Sequence, residues 1–252
     1  MLNLDREPRR ALERFYLLYS PLWMVVVVAV LVSGAFAEWR DLGHMALGVG
    51  MALPIWLAPL FLDRHRPLQQ RYSLKTAVYI TLLSFLQNYF GTPLFFRYFG
   101  LEYHFPVTLR LNGTPLSLSF MTVAYFSTYF VIIQVGLRYA EGLLDALPTP
   151  LLRRGLRLLA AALLSYAMAL LETLFMANKY LAGYFAYGDK EHMMLVGSLC
   201  YGSLLFIAIL VFVGIDEEPG QPTPLGDVVW RGLGANTLVL CAYEVYAHIL
   251  SK

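Results

Sequence analysis

A chain of 252 residues in which 58% are hydrophobic, only 14% are charged and mean hydropathy is +0.58 is not a water-soluble domain, where about a quarter of residues carry charge. The net charge of +2 is too small to argue for nucleic acid, and no basic patch interleaved with aromatics occurs. The expectation is an all-α, polytopic membrane helix bundle of about seven transmembrane helices, with residues 1–14 as a polar N-terminal segment and 15–252 as a single transmembrane domain.

Seven apolar runs carry that expectation, at roughly 15–38, 42–62, 76–99, 116–138, 155–180, 193–214 and 227–249. Each is near the ~20 residues that cross a hydrocarbon core at ~1.5 Å per residue. Prolines fall inside the first run (Pro21) and the second (Pro54, Pro59), where they predict kinks. No cleavage site of the small-x-small type follows the first run, so that run is expected to stay in the protein. Cys200 and Cys241 both fall in apolar runs and read as small core residues. No cofactor or metal is implied by any cysteine or histidine spacing.

Lys and Arg are biased between alternate connections. Arg6, Arg9, Arg10, Arg14, Arg64, Arg66, Arg71, Lys75, Arg138, Arg153, Arg154, Arg157 and Arg231 fall on one side. Arg40, Arg97, Arg110, Lys179, Lys190 and Lys252 fall on the other. The positive-inside rule then predicts a cytoplasmic N-terminus.

The third run, AVYITLLSFLQNYFGTPLFFRYFG, places Thr81, Ser84, Asn88 and Thr92 at three- and four-residue steps, on one helix face. Such a stripe either glues helices together or lines a cavity, and gluing is the commoner use. The aromatics that follow, from Phe95 to Phe105, read mostly as interface anchors. In the next connection Glu102 and His104 form either a proton relay or, more commonly, a wetted loop pair. Asn112-Gly113 marks a turn.

The fifth run, LRLLAAALLSYAMALLETLFMANKY, carries Glu172 well inside apolar sequence. A carboxyl there costs roughly 2.5–3.5 kcal/mol on insertion scales, so it should face the bundle interior. It is either a proton-exchanging group or a structural acid satisfied by a neighbour. The sixth run is glycine-dotted and reads as a packing helix. The seventh contains a second acid, Glu244, on one face with Thr237, Cys241 and His248. Counting rise from the same side puts Glu172 and Glu244 both ~24 Å up and Asn88 ~18 Å up, which predicts a shared polar pocket. Two carboxyls in one such pocket would suit one protonated and one ionised form, the pair that acid/base chemistry needs.

Five motifs in register carry a family resemblance. They are RFYLLYSPLW at 14–23, Asn88-Tyr89-Phe90 followed by Phe95-Phe96, Leu171-Glu172-Thr173 with Ala177-Asn178, Ile215-Asp216-Glu217, and Leu233-Gly234-Ala235 ahead of Glu244. The set resembles the cycloeucalenol cycloisomerase family of cyclopropyl sterol isomerases, over about residues 12–248. The resemblance implies an isomerase of sterol biosynthesis that opens the 9β,19-cyclopropane of a cyclopropyl sterol, as in cycloeucalenol to obtusifoliol, without a cofactor. It implies a sterol and the lipid bilayer as partners, with no nucleic acid. The membrane would be the endoplasmic reticulum in a eukaryote and the inner membrane in a bacterium. It also implies Glu172, Glu244 and Asn88 as catalytic residues, and Asn178, Tyr89, Phe90, Tyr19, Thr92 and His104 around the substrate. The chain departs from plant members at Val123 and Phe130, which stand where those carry histidines. A sterol-binding or sterol-sensing protein that does no chemistry is the competing expectation.

Overall fold

The computed structural model describes residues 7–144, 147–177, 180–217 and 220–251. The helices in chain order are α1 (Glu7–Val32), α2 (Ala35–Glu38), α3 (Asp41–Phe61), α4 (Tyr72–Leu86), α5 (Thr92–Phe99), α6 (Leu116–Leu144), α7 (Pro150–Met176), α8 (Lys190–His192), α9 (Ser198–Val213) and α10 (Leu225–Leu250). Two π-helical turns, Gln87–Gly91 and Met193–Gly197, join α4 to α5 and α8 to α9. Four two-residue strands complete the inventory: β1 (Glu102–Tyr103), β2 (Arg110–Leu111), β3 (Thr114–Pro115) and β4 (Phe185–Ala186).

The polytopic membrane bundle is as expected. Six helices are long and apolar enough to cross a bilayer. The third run is helical too, but the π turn at Gln87–Gly91 splits it into α4 and α5. Its outer neighbours leave Leu18, Leu22, Val25, Leu163, Leu171, Phe175, Leu238 and Val245 exposed. A continuous apolar exterior of this kind suits lipid and not water. Helix α1 begins at Glu7, inside the segment expected to be polar and separate, because Arg9 and Glu13 are buried against the bundle.

Helix α6 is the axis. In its most apolar stretch 72% of the residues are buried, against 22% in α1 and α10. It packs against α1, α3, α4, α7 and α9. Its small hydroxyl residues allow close approach and then bond across: Ser20 Oγ and Thr128 Oγ1 lie 2.7 Å apart, and Trp23 Nε1 donates to the same Thr128 oxygen at 3.0 Å. Helices α7 and α9 approach closely where Gly202 faces the Tyr166 backbone, since a Cβ there would sit 3.0 Å from Tyr166 Cα. Cys200 is buried in this contact, as expected, but Cys241 lies on the exposed face of α10.

The two ends of the bundle differ in kind. At the end holding the N-terminus of α1, ion pairs are drawn inside. Lys75 Nζ donates to both Asp216 carboxylate oxygens, at 2.7 and 2.9 Å. Asp216 also accepts from Thr223 N at 2.7 Å, and Arg9 donates to Ile215 O at 2.6 Å. Glu13 pairs with Arg138 at 2.5 Å and accepts from Gln134. The opposite end is capped by two connections. Strand β1 pairs antiparallel with β4, and β2 with β3 across the Asn112-Gly113 turn, where both residues take positive φ as a tight hairpin requires. Asp41, at the start of α3, accepts from the backbone of Thr108 and Leu109 and from the Thr108 hydroxyl, which ties this cap to the bundle.

A buried pair broken on one side strands a charge. Lys75→Met is therefore expected to destabilise by about 3–5 kcal/mol, and Lys75→Met with Asp216→Leu by much less. Thermal unfolding in detergent compares the two variants.

Candidate active site

Beneath the cap lies a cavity of ≈ 130 Å³. Five elements build it. The α4–α5 helix contributes Gln87, Asn88 and Thr92; α6 contributes Thr122 and Tyr125; α7 contributes Glu172 and Met176. Helix α9 and its π turn add Tyr201 and Met193. The roof is Leu101, Tyr103 and Phe105 from one connection, with Phe185 and Tyr187 from the other.

Each position has a local cause. Helix α7 ends at Met176, so Glu172 stands in its final turn, at the level of the cap. Thr173 fixes the rotation of that turn by accepting from Ser198 Oγ of α9 at 3.1 Å. The roof holds because β1 and β4 share a ladder, His104 N donates to Tyr184 O at 2.9 Å, and Gly188 N donates to Gly100 O at 2.9 Å. Gly100 takes φ +59 and lies against the Gly188 backbone, where a side chain has no room. Both π turns border the cavity, and each ends on a glycine where a methyl would displace a neighbouring side chain. A Cβ on Gly91 would sit 2.5 Å from Gln87 Oε1, and one on Gly197 would sit 2.1 Å from Met193 Sδ. A π turn inserts one residue into a helix and re-aims the side chains beyond it, a device common at functional sites.

Glu172 is half-buried, and its Oε2 is fully enclosed with no hydrogen-bond partner among the described residues. The phenols of Tyr201 and Tyr129 stand within interaction range of the carboxyl. Tyr103, Tyr125 and Tyr187 stand within its electrostatic reach, so five phenols surround one carboxyl. In the cap, burial and the charge of Glu172 push the phenols of Tyr103 and Tyr187 up, which keeps both neutral. The opposite wall is polar but restrained. Asn88 Nδ2 donates to Ser84 O at 2.8 Å and to Thr122 Oγ1 at 2.9 Å. The space between the walls is lined by Phe95, Phe105, Phe126 and Phe185. The arrangement can hold an apolar ligand against a single carboxyl, with aromatic faces around any positive charge that develops.

The structure brings Glu172, Asn88 and Thr92 together, as the sequence suggested. It does not bring Glu244. Thr237, Cys241, Glu244 and His248 do share a face of α10, but that face points outward, and Glu244 lines a separate groove with Phe90, Arg97 and His248. The residue that α10 turns inward is Tyr243. Tyr89 and Phe90 are exposed, because the π turn carries them to the outside of the helix while Gln87 and Gly91 point in. Tyr19 is buried elsewhere, stacked on Phe15 and donating to Met51 O at 2.5 Å between α1 and α3. His104 is exposed and pairs with exposed Glu102 at 3.1 Å, the wetted loop pair. Asn178 lies outside the described residues. Thr81 accepts from Trp56 Nε1 at 2.9 Å, so the first part of the polar stripe is glue and only its later part, Asn88 and Thr92, lines a cavity. Val123 and Phe130 are fully buried in α6, and neither lines the cavity. Among the described residues no group of three or more His, Cys, Asp or Glu is placed to hold a metal ion.

Sequence reasoning missed the phenols. Tyr125, Tyr129 and Tyr201 sit singly in apolar runs, where tyrosine is unremarked, and Tyr103 and Tyr187 sit in connections. Tyr201 lies on the helix expected only to pack. Gln87 was passed over beside Asn88, although it is the more buried of the two.

Gly197→Ala is expected to cost about 1–3 kcal/mol, because its methyl drives Met193 from its place. Adding Met193→Ala should recover most of that loss, which melting temperatures of the single and double variants will measure.

No protein-family model matches this chain. No solved structure matches it either. The chain is similar to cycloeucalenol cycloisomerase of Arabidopsis thaliana, with 29% identity over 239 residues that cover 93% of this chain and 84% of that protein. Identity at that level over nearly the whole length marks a distant relative of an isomerase.

Proposed function

We propose that this chain is a membrane isomerase that opens the cyclopropane ring of a cyclopropyl sterol, with Glu172 exchanging the proton. One observation carries the reading: Glu172 is the sole carboxyl among the described residues lining the cavity, and its buried Oε2 has no partner. The similarity to a cycloisomerase over most of both chains supports the same reaction class.

The chemistry balances around that group. The protonated carboxyl gives its proton to the bridging CH₂, the ring C–C bond breaks, and the CH₂ becomes a methyl group. The electron-deficient carbon left behind faces aromatic rings, whose negative faces lower its energy. The carboxylate formed in the first step then takes the proton from the neighbouring carbon, a double bond forms, and the acid is regenerated. A single carboxyl can serve both steps, so the outward position of Glu244 leaves the reaction intact. Tyr201 and Tyr129, within range of the carboxyl, can donate to it when it is charged. No electrons enter or leave. The end rich in buried ion pairs is assigned to the cytoplasmic side, on the distribution of Lys and Arg.

The test uses the protein in membranes free of sterol, with cycloeucalenol or cycloartenol supplied in D₂O. An 8-ene sterol carrying one deuterium in the new methyl group is the expected product. Glu172→Gln should lower turnover by about 10²–10⁴-fold while the sterol still raises the melting temperature. Full turnover in that variant removes Glu172 from the mechanism. Stabilisation of the wild-type protein by sterol without any product makes it a sterol-binding protein instead.

A further inference from the structure

Two buried polar atoms beside the cavity have no partner among the described residues, and they are of opposite kind. Gln87 is 5% exposed; its Nε2 donates to Asn236 Oδ1 of α10 at 2.6 Å, and its Oε1 is enclosed and unpaired. Tyr243 is 4% exposed, and its hydroxyl is likewise enclosed and unpaired. Both side chains meet at Gly91; of the two, Gln87 lines the cavity, and Tyr243 lines the outer groove that also holds Glu244. The point where a Cβ would stand on Gly91 is 2.5 Å from Gln87 Oε1 and 3.2 Å from Tyr243 Cε2. The Tyr243 ring meets Phe95, a cavity residue, edge-on at 5.9 Å, and its phenol is within electrostatic reach of Tyr201, another.

An orphaned buried donor or acceptor costs about 1–3 kcal/mol. The amide cannot turn over to relieve this, because its NH₂ is held by Asn236. Oε1 only accepts, and the free phenol is there to donate. A carboxylate would answer Tyr243 but repel Gln87. An ammonium would answer Gln87 but has nothing to offer Tyr243. A ketone offers no proton to Gln87. Water and an alcohol can each donate one bond and accept one, and of the two an alcohol is the group that a ligand brings.

We propose that Gln87 and Tyr243, set around the side-chain-free Gly91, bind the hydroxyl of the substrate and so fix which end of an otherwise apolar frame lies away from Glu172. The proposal rests on the isomerase reading for the identity of the ligand, since a sterol carries one alcohol at the end of a hydrocarbon skeleton. It assigns a role to a pair on α4–α5 and α10 that touches neither the acid nor its phenols in the reaction.

Binding without turnover tests it separately from the reaction. The probes are cycloeucalenol, its 3-deoxy analogue and its 3-methyl ether, each titrated against the wild-type protein, Tyr243→Phe and Gln87→Leu in detergent, with ligand-induced melting shifts as the readout. The wild type should bind the alcohol at least about tenfold tighter than either analogue, because both leave a buried group unpaired. The methyl ether cannot donate to Gln87 but still accepts from Tyr243. Tyr243→Phe should therefore bring the ether and deoxy analogues level, and Gln87→Leu should bring the alcohol and the ether level. Tyr243→Phe removes only an unpaired oxygen, so its own melting temperature should not fall. A wild type that does not distinguish the three probes, or binds none, overturns the proposal, as do variants that retain the full preference. Discrimination without any isomerised product would sink the isomerase reading and leave the hydroxyl site standing.

Discussion

A carboxyl group at the lipid-facing end of a helix bundle has to be kept from lipid, and the structure around Glu172 is the answer to that requirement. Its helix ends one turn later, so the group stands under a cap and not in mid-bilayer. The cap itself exists through two-residue ladders and a glycine–glycine contact, which seal two connections over the cavity with backbone bonds. Phenols from α6, α9 and the cap then take the place of water as neutral donors. Such groups ease the burial of a carboxyl in either protonation state, since a hydroxyl can donate to the anion or accept from the acid. A cationic partner would have locked the anion instead.

The opposite end of the bundle solves a similar problem by other means. There Lys75 pairs with Asp216 and Glu13 with Arg138, while Arg9 donates to the Ile215 carbonyl. Within each ion pair the charges cancel. The contrast separates the two ends by role. Paired ions hold the helices together at one end, and an unpaired acid is held available at the other.

The bundle was legible because apolar runs of bilayer length admit few alternatives, and Glu172 and Asn88 were legible because polar groups in such runs are rare. The rest failed for definite reasons. Helical periodicity shows that Thr237, Cys241, Glu244 and His248 share a face, but not whether the face turns in or out. Here it turns out, and Tyr243, one position away, turns in. The rise per residue gave heights, and two acids at one height can still lie on opposite sides of a helix. Tyrosine is ordinary in membrane helices, so five phenols drawn from four separate stretches leave no trace before folding brings them together. Val123 and Phe130 are core positions of α6 and take no part in the site.

The turn Gln87–Gly91 has one residue more than the helix it interrupts. Everything beyond it is out of phase with everything before it by about 100°, the rotation of a single α-helical residue. Before the turn the helix bonds its neighbour through Thr81; after it, Phe95 faces the cavity and Phe99 stacks on His192 at 5.2 Å. Deleting one codon there would leave a longer and more regular helix, with Phe95 and Phe99 swung away from both contacts. The cavity is thus a product of the genetic spacing as much as of the side chains.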